Sequence, residues 1–106
     1  MTDALVVLTT TETEADAERL ARLLVEAELA ACVQVLPRMS SIYRWQGKVE
    51  QAGETLLLIK TTRAAYARLE TAIKQHHPYE TPEIIALPVE AGSDKYLKWL
   101  MEAVRS

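Results

Sequence analysis

The strongest constraint on this chain is that short β-favouring apolar runs alternate with stretches of helical period. Residues 4–8 (ALVVL), 55–61 (TLLLIKT) and 83–90 (EIIALPVE) are apolar runs of strand length, too short to span a membrane. Between them, Ala17, Leu20, Ala21, Leu24 and Ala27 recur at helical spacing, with Glu18, Arg19, Arg22 and Glu26 mostly elsewhere. Residues 64–75 repeat the pattern through Ala65, Leu69, Ala72 and Ile73. Each such helix must lay its apolar stripe on a sheet.

The remaining segments complete an alternating order. Thr13, three residues before Asp16, predicts a helix N-terminus, because a hydroxyl accepts from orphan amides and an acid favours the positive dipole end. ACVQVLP suits an extended chain, and Pro37, lacking an N–H, requires that strand to bulge, end or lie at an edge. SSIYRW then alternates like a strand, Gly47 suits a positive φ in a hairpin turn, and TLLLIKT is expected to pair back onto SSIYRW. Pro78 and Pro82 bracket a non-helical connection after the second helix, which is expected to end near His76. Pro88 marks the fourth strand as an edge or ends it early, and Gly92 with Ser93 precedes a terminal helix carrying Tyr96, Leu97, Leu100 and Met101. The predicted order is βαββαβα: an α+β, ferredoxin-like βαββαβ sandwich with an extra C-terminal helix.

Size agrees with one core. A chain of 106 residues, 49% hydrophobic and 25% charged, predicts a single domain over 1–106. A net charge of −3 leaves no excess of Lys and Arg for a run of phosphates, which argues against nucleic acid or an anionic membrane as partner. Cys32 is the only cysteine, so no intrachain disulfide or CxxC motif exists, and a cytoplasmic chain is expected. No basic segment leads into a long apolar stretch, so neither a signal peptide nor a transmembrane helix is apparent.

Two groups of residues stand out chemically. His76 and His77 are adjacent at a helix end beside a proline-fixed loop, where imidazole suits copper or zinc, although adjacent side chains diverge and a protonated His also favours a helix C-terminus. With Glu80 they fall short of a closed site, so further ligands would come from another subunit. Tyr43, Arg44, Trp45 and Lys48 cluster around the hairpin, which favours a subunit interface over a ligand cleft or simple cross-strand pairing. Cys32, in an apolar AACV context with no adjacent cation, reads first as core packing. No Gly-rich phosphate loop, HExxH, GxSxG or Ser-His-Asp arrangement occurs, so no enzyme is indicated.

In order, AACVQVLP, SSIYRWQGKVE, LLLIKTT, HHPYETPEIIALPV and YLKWL resemble the CutA family of divalent-cation tolerance proteins across essentially the whole chain. That resemblance implies a ferredoxin-like subunit in a tight homotrimer, associated with tolerance to divalent cations and above all copper. It also implies metal candidates at His76, His77 and Cys32, and an intersubunit cleft lined by Tyr43, Trp45, Lys60, Tyr79 and Glu80. Some bacterial members carry a cysteine at the end of the first strand, counted among their copper ligands; here Thr9 stands there. Losing that soft thiolate shifts the expected cofactor from Cu(I) toward Cu(II) (Cu2+) or another divalent metal ion such as Zn(II). The resemblance supports a second function as well, a PII-like trimeric regulator whose cleft takes a small ligand, with Arg44 and Lys60 available to an anion. RNA binding ranks last, because the sheet lacks the basic and aromatic RNP pattern.

Overall fold

The computed structural model describes residues 1–105. Within them the chain runs β1 (Ala4–Thr11), α1 (Glu14–Glu26), β2 (Cys32–Trp45), β3 (Lys48–Thr62), α2 (Tyr66–His76), β4 (Ile85–Pro88) and α3 (Asp94–Ala103). The strands form one sheet in the order β2-β3-β1-β4, with every neighbouring pair antiparallel. Each of the first two helices therefore carries the chain past one intervening strand, as in the α+β, ferredoxin-like arrangement the sequence predicts.

Alternation along the strands explains the core. Val7, Leu57 and Ile59 project to one face, where Leu20 and Leu24 of α1 and Leu69 and Ile73 of α2 cover them completely or nearly so. Local signals set the helix starts: Thr13 Oγ1 accepts the Asp16 N–H at 3.1 Å, and Ser93 Oγ accepts the Tyr96 N–H at 3.3 Å. A second cluster, Ala4, Ala31, Ala65, Leu100 and Val104, fastens α3 to one end of the sheet.

Two expectations are corrected. First, β1 extends beyond the apolar run 4–8 to Thr11, because Thr10 and Thr11 pair with Leu56 and Thr55 and β-branched threonine fits a strand well. Second, SSIYRW pairs with residues 48–53, not with TLLLIKT; Leu56 and Leu57 lie opposite Leu36 and Val35. A two-residue turn returns the chain at once, so the polar KVEQAG stretch becomes strand and Gly53 does not interrupt it. Pro88 behaves as the sequence predicts: β4 is an edge strand that ends there, with one further bond from the Val89 N–H to Ala4 O at 3.1 Å. At Pro37 the sheet does what the missing donor requires, shifting register between Leu36 and Met39 on an edge strand with Arg38 at φ 64°.

The opposite sheet face is open over much of its area. In-register neighbours place Val6, Leu8, Leu56 and Leu58 there half-buried, beside Leu36, Ile85 and Leu87 at 46%, 50% and 49% exposure. Past the bulge, residues 39–54 form a two-stranded arm that helps stretch the molecule to 44 × 25 × 23 Å.

Candidate binding cleft

The arm is built by its turn. Gln46 at φ 49° and Gly47 at φ 81° give positive φ at both central positions, the combination whose twist matches a hairpin. That turn sets Trp45 opposite Lys48 and Tyr43 opposite Glu50, so Tyr43 and Trp45 share a face with Ala52 and Glu54.

The loop after α2 is locked onto the base of this face. His77 leaves the helix in extended conformation, and its N–H still reaches Ile73 O at 2.8 Å. Its Nε2 lies 2.6 Å from Thr10 O, while its Nδ1 is 3.1 Å from the Tyr79 N–H. A carbonyl only accepts and an amide only donates, so the neutral Nε2–H tautomer satisfies both contacts. The Tyr79 ring packs on the imidazole with centroids 4.8 Å apart, and its hydroxyl donates to Glu54 Oε2 at 2.9 Å. Burial, then the neighbouring Glu54 carboxylate, pushes the Tyr79 phenol far above its ordinary range. Thr10, His77, Tyr79 and Glu54 thus tie β1, the loop and β3 together.

A cleft of about 440 Å³ opens between the arm and this loop. Tyr43, Trp45 and Tyr79 supply its rings, Glu54, Glu80 and Glu83 its carboxylates, and Thr10, Ala52 and Thr81 the rest. Four of the residues nominated from sequence, Tyr43, Trp45, Tyr79 and Glu80, therefore meet. Lys60 does not: it pairs with Val6 and Cys32, and its Nζ donates to Gln34 Oε1 at 3.0 Å. Four residues separate it from Leu56, the partner of Thr10, or about 13 Å of strand. Glu54 and Glu83 were not nominated; the Gln46-Gly47 turn was the available signal for Glu54, since a two-residue loop puts positions 50, 52 and 54 beneath the hairpin aromatics.

The three metal candidates do not converge within the protomer. His76 is exposed at the end of α2, whereas His77 is buried with both ring nitrogens occupied, leaving no lone pair for a metal in this arrangement. Cys32 sits on the Lys60 row, its Sγ 3.7 Å from the Tyr96 hydroxyl. Among the described residues no group of three or more His, Cys, Asp or Glu side chains is placed to hold a metal ion. Thr9 is fully buried on the helix-covered face of β1, and its hydroxyl has no hydrogen-bond partner among the described residues.

Comparison with known proteins supplies the family context. A family model described as CutA1 divalent ion tolerance protein matches residues 5–103. A divalent-cation tolerance protein CutA from Thermus thermophilus is 50% identical over 97 residues, covering 92% of this chain and 94% of that protein. Its Pectobacterium atrosepticum namesake is 48% identical over 103 residues, covering 97% and 94%. Among solved structures, the Thermus thermophilus protein Cut A1 superposes with a TM-score of 0.94 at 48% identity, covering 96% of this chain and 99% of that one. A structure described as the periplasmic divalent cation tolerance protein CutA of Archaeoglobus fulgidus gives 0.92 at 36% identity, covering 96% and 99%. No described helix of this chain is long and apolar enough to cross a membrane.

Proposed function

The chain belongs to the CutA1 divalent ion tolerance family, and from that premise we propose that it is a cytoplasmic, single-domain homotrimer whose working site is the aromatic and carboxylate cleft below the hairpin. This is the PII-like reading, in which a bound small ligand regulates the response to divalent cations. One observation carries it: the cleft gathers Tyr43, Trp45, Tyr79 and Glu80 around a locked loop, while the imidazole expected to hold metal spends both nitrogens locking that loop. The role is binding, since the cleft presents no nucleophile paired with a base.

Trimerisation is supported by the open face. A contiguous set of leucines, isoleucine and valine on one side of a small sheet, between two edge strands, is surface that a partner of the same kind covers economically. Direct copper binding enters this reading only through exposed His76, with a neighbouring subunit completing the ligand set.

Three measurements test the proposal. Cells lacking the endogenous protein and carrying this chain are grown in excess copper; Trp45→Leu and Tyr43→Ala are expected to lose the protection, and full protection by both variants rejects the cleft. Sedimentation at low micromolar concentration is expected to show a trimer, and a stable folded monomer rejects the assembly. Calorimetry with Cu2+ is expected to show binding that weakens in His76→Ala, and unchanged binding in that variant removes direct metal contact from the reading.

A further inference from the structure

Resting on the cleft as the working site, we propose that its ligand is a methylated organic ammonium ion, held by the rings of Tyr43, Trp45 and Tyr79 and attracted by Glu54, Glu80 and Glu83. The argument starts with what the walls lack. Among the described residues no Lys, Arg or His lines the cleft: Arg44 lies on the other face of the hairpin, donating toward Gly47 O at 3.5 Å, and Lys48, though on the same face as Trp45, sits at the tip beyond the lining residues. A site for a phosphate or carboxylate needs such donors, so the walls this protomer supplies favour a cation over an anion.

Cations remain, and the wall chemistry divides them. A small, strongly hydrated metal ion needs several oxygen or nitrogen ligands at short range, and the described residues contain no such group. One of the carboxylates, Glu54, already accepts the Tyr79 hydroxyl. What the cleft offers in quantity is aromatic surface, three rings from two separate elements. A methylated ammonium is weakly hydrated, spreads its charge over apolar methyl groups, and is drawn to the negative faces of aromatic rings. Trp45 gives the strongest such face. About 440 Å³ lies within the size range of small-ligand sites, roughly 300–1,000 Å³.

Tyr79 is prepared for this use. Its hydroxyl is held by Glu54 and its ring by His77, so it loses little freedom when a ligand arrives. Glu80 and Glu83 flank Pro82 on the adjoining loop and add long-range attraction that salt should weaken.

The test titrates the intact protein with choline and with its neutral tert-butyl analogue, in which carbon replaces the charged nitrogen. Trp99→Phe serves as background, leaving Trp45 as the only tryptophan, so that fluorescence reports the cleft. Choline is expected to quench Trp45 and to bind roughly tenfold more tightly than the analogue; each ring is worth roughly two- to thirtyfold. Calorimetry on Trp45→Leu should show that loss, and the paired change Glu80→Gln with Glu83→Gln should weaken binding while flattening its salt dependence. Trp45 is more than half exposed and the two glutamates lie on a loop, so neither variant threatens the fold. Equal affinity for the neutral analogue, no choline binding, or binding untouched by Trp45→Leu each overturns the cation assignment. Should it fall while Trp45→Leu still abolishes protection against copper, the cleft survives with a different ligand; intact protection removes both.

Discussion

Leu57 and Val49 lie on the same strand and meet opposite fates. Leu57, under α1 and α2, has no exposed surface, whereas Val49, eight residues earlier on the arm, is 64% exposed. Both positions are β, both side chains are branched and apolar, and both strands of the ladder continue past them. The difference is whether a second layer exists: around Leu57 hydrophobic burial and backbone pairing act together, whereas on the arm pairing acts alone. Ile42, Tyr43, Trp45 and Val49 thus contribute little to the protomer's own core, and their chemistry is available to a ligand or to another copy of the chain.

The largest test of that contrast is a pair of truncations. Leu57→Ala should cost about 2–5 kcal/mol, by lost transfer energy plus a cavity. Val49→Ala should change the stability of the protomer by no more than about 0.5 kcal/mol. Urea unfolding of both, at several protein concentrations, separates the outcomes. If Val49→Ala is as damaging as Leu57→Ala at every concentration, the arm is part of the protomer core and the contrast fails. If its cost grows as the protein is concentrated, the arm is buried by association.

The adjacent histidines give a smaller test at the joint between the two regions. His77→Ala removes two hydrogen bonds, one that fixes the loop to the buried Thr10 carbonyl of β1 and one that accepts the Tyr79 N–H within the loop, and should cost about 1–3 kcal/mol. His76→Ala, on the exposed helix end, should cost no more than about 0.5 kcal/mol. Equal costs would show that the loop is held by something other than the imidazole. Thermal unfolding of the two variants reads the difference directly.

Much of this was legible before any coordinates. Element order, the Thr13 and Ser93 caps, the bulge demanded by Pro37 and the positive φ at Gly47 all follow from local chemistry, which is written in neighbouring residues. Pairing register was not, because it depends on turn length: Gly47 closes a two-residue turn, so SSIYRW meets residues 48–53 and TLLLIKT falls further along the strand. The cleft aromatics were visible as an amphipathic cluster too polar for a core. Lys60, nominated by family resemblance for a cleft between subunits, lies away from the cleft of the single protomer, where its Nζ meets Gln34. The role of His77 was hidden: no pattern in HHPYE reveals that the Thr10 carbonyl will occupy its ring.

Thr9 sharpens the helix-covered side of the comparison. Its hydroxyl is buried beside the apolar core and meets no hydrogen-bond partner among the described residues. Thr9→Val keeps the shape and removes the desolvation cost of the hydroxyl, so it should raise stability by about 1 kcal/mol. A loss of similar size in urea or thermal unfolding would reveal a partner for that oxygen.

The smallest effect lies in the coupling between core and arm, and pH isolates it. Tyr79 donates to Glu54, which sits opposite Met39 where the arm begins. Burial and that carboxylate raise the Tyr79 pKa above its ordinary value of 10.0. The unfolded chain therefore releases this proton near pH 10.0 while the folded chain retains it. Above that pH the folded state binds more protons, so stability must fall as pH rises; below it, the contribution is complete. Tyr66 and Tyr96 are shifted in the same direction, but both remain in Tyr79→Phe and cancel in a comparison with the unaltered protein. At neutral pH the variant should be less stable by about 1 kcal/mol, the worth of one hydrogen bond. That gap should hold up to roughly pH 10 and then shrink as the unaltered protein loses its advantage. A gap that stays constant through the alkaline range would mean that Tyr79 is held by its ring alone, and the arm would then be joined to the core only by the strands themselves.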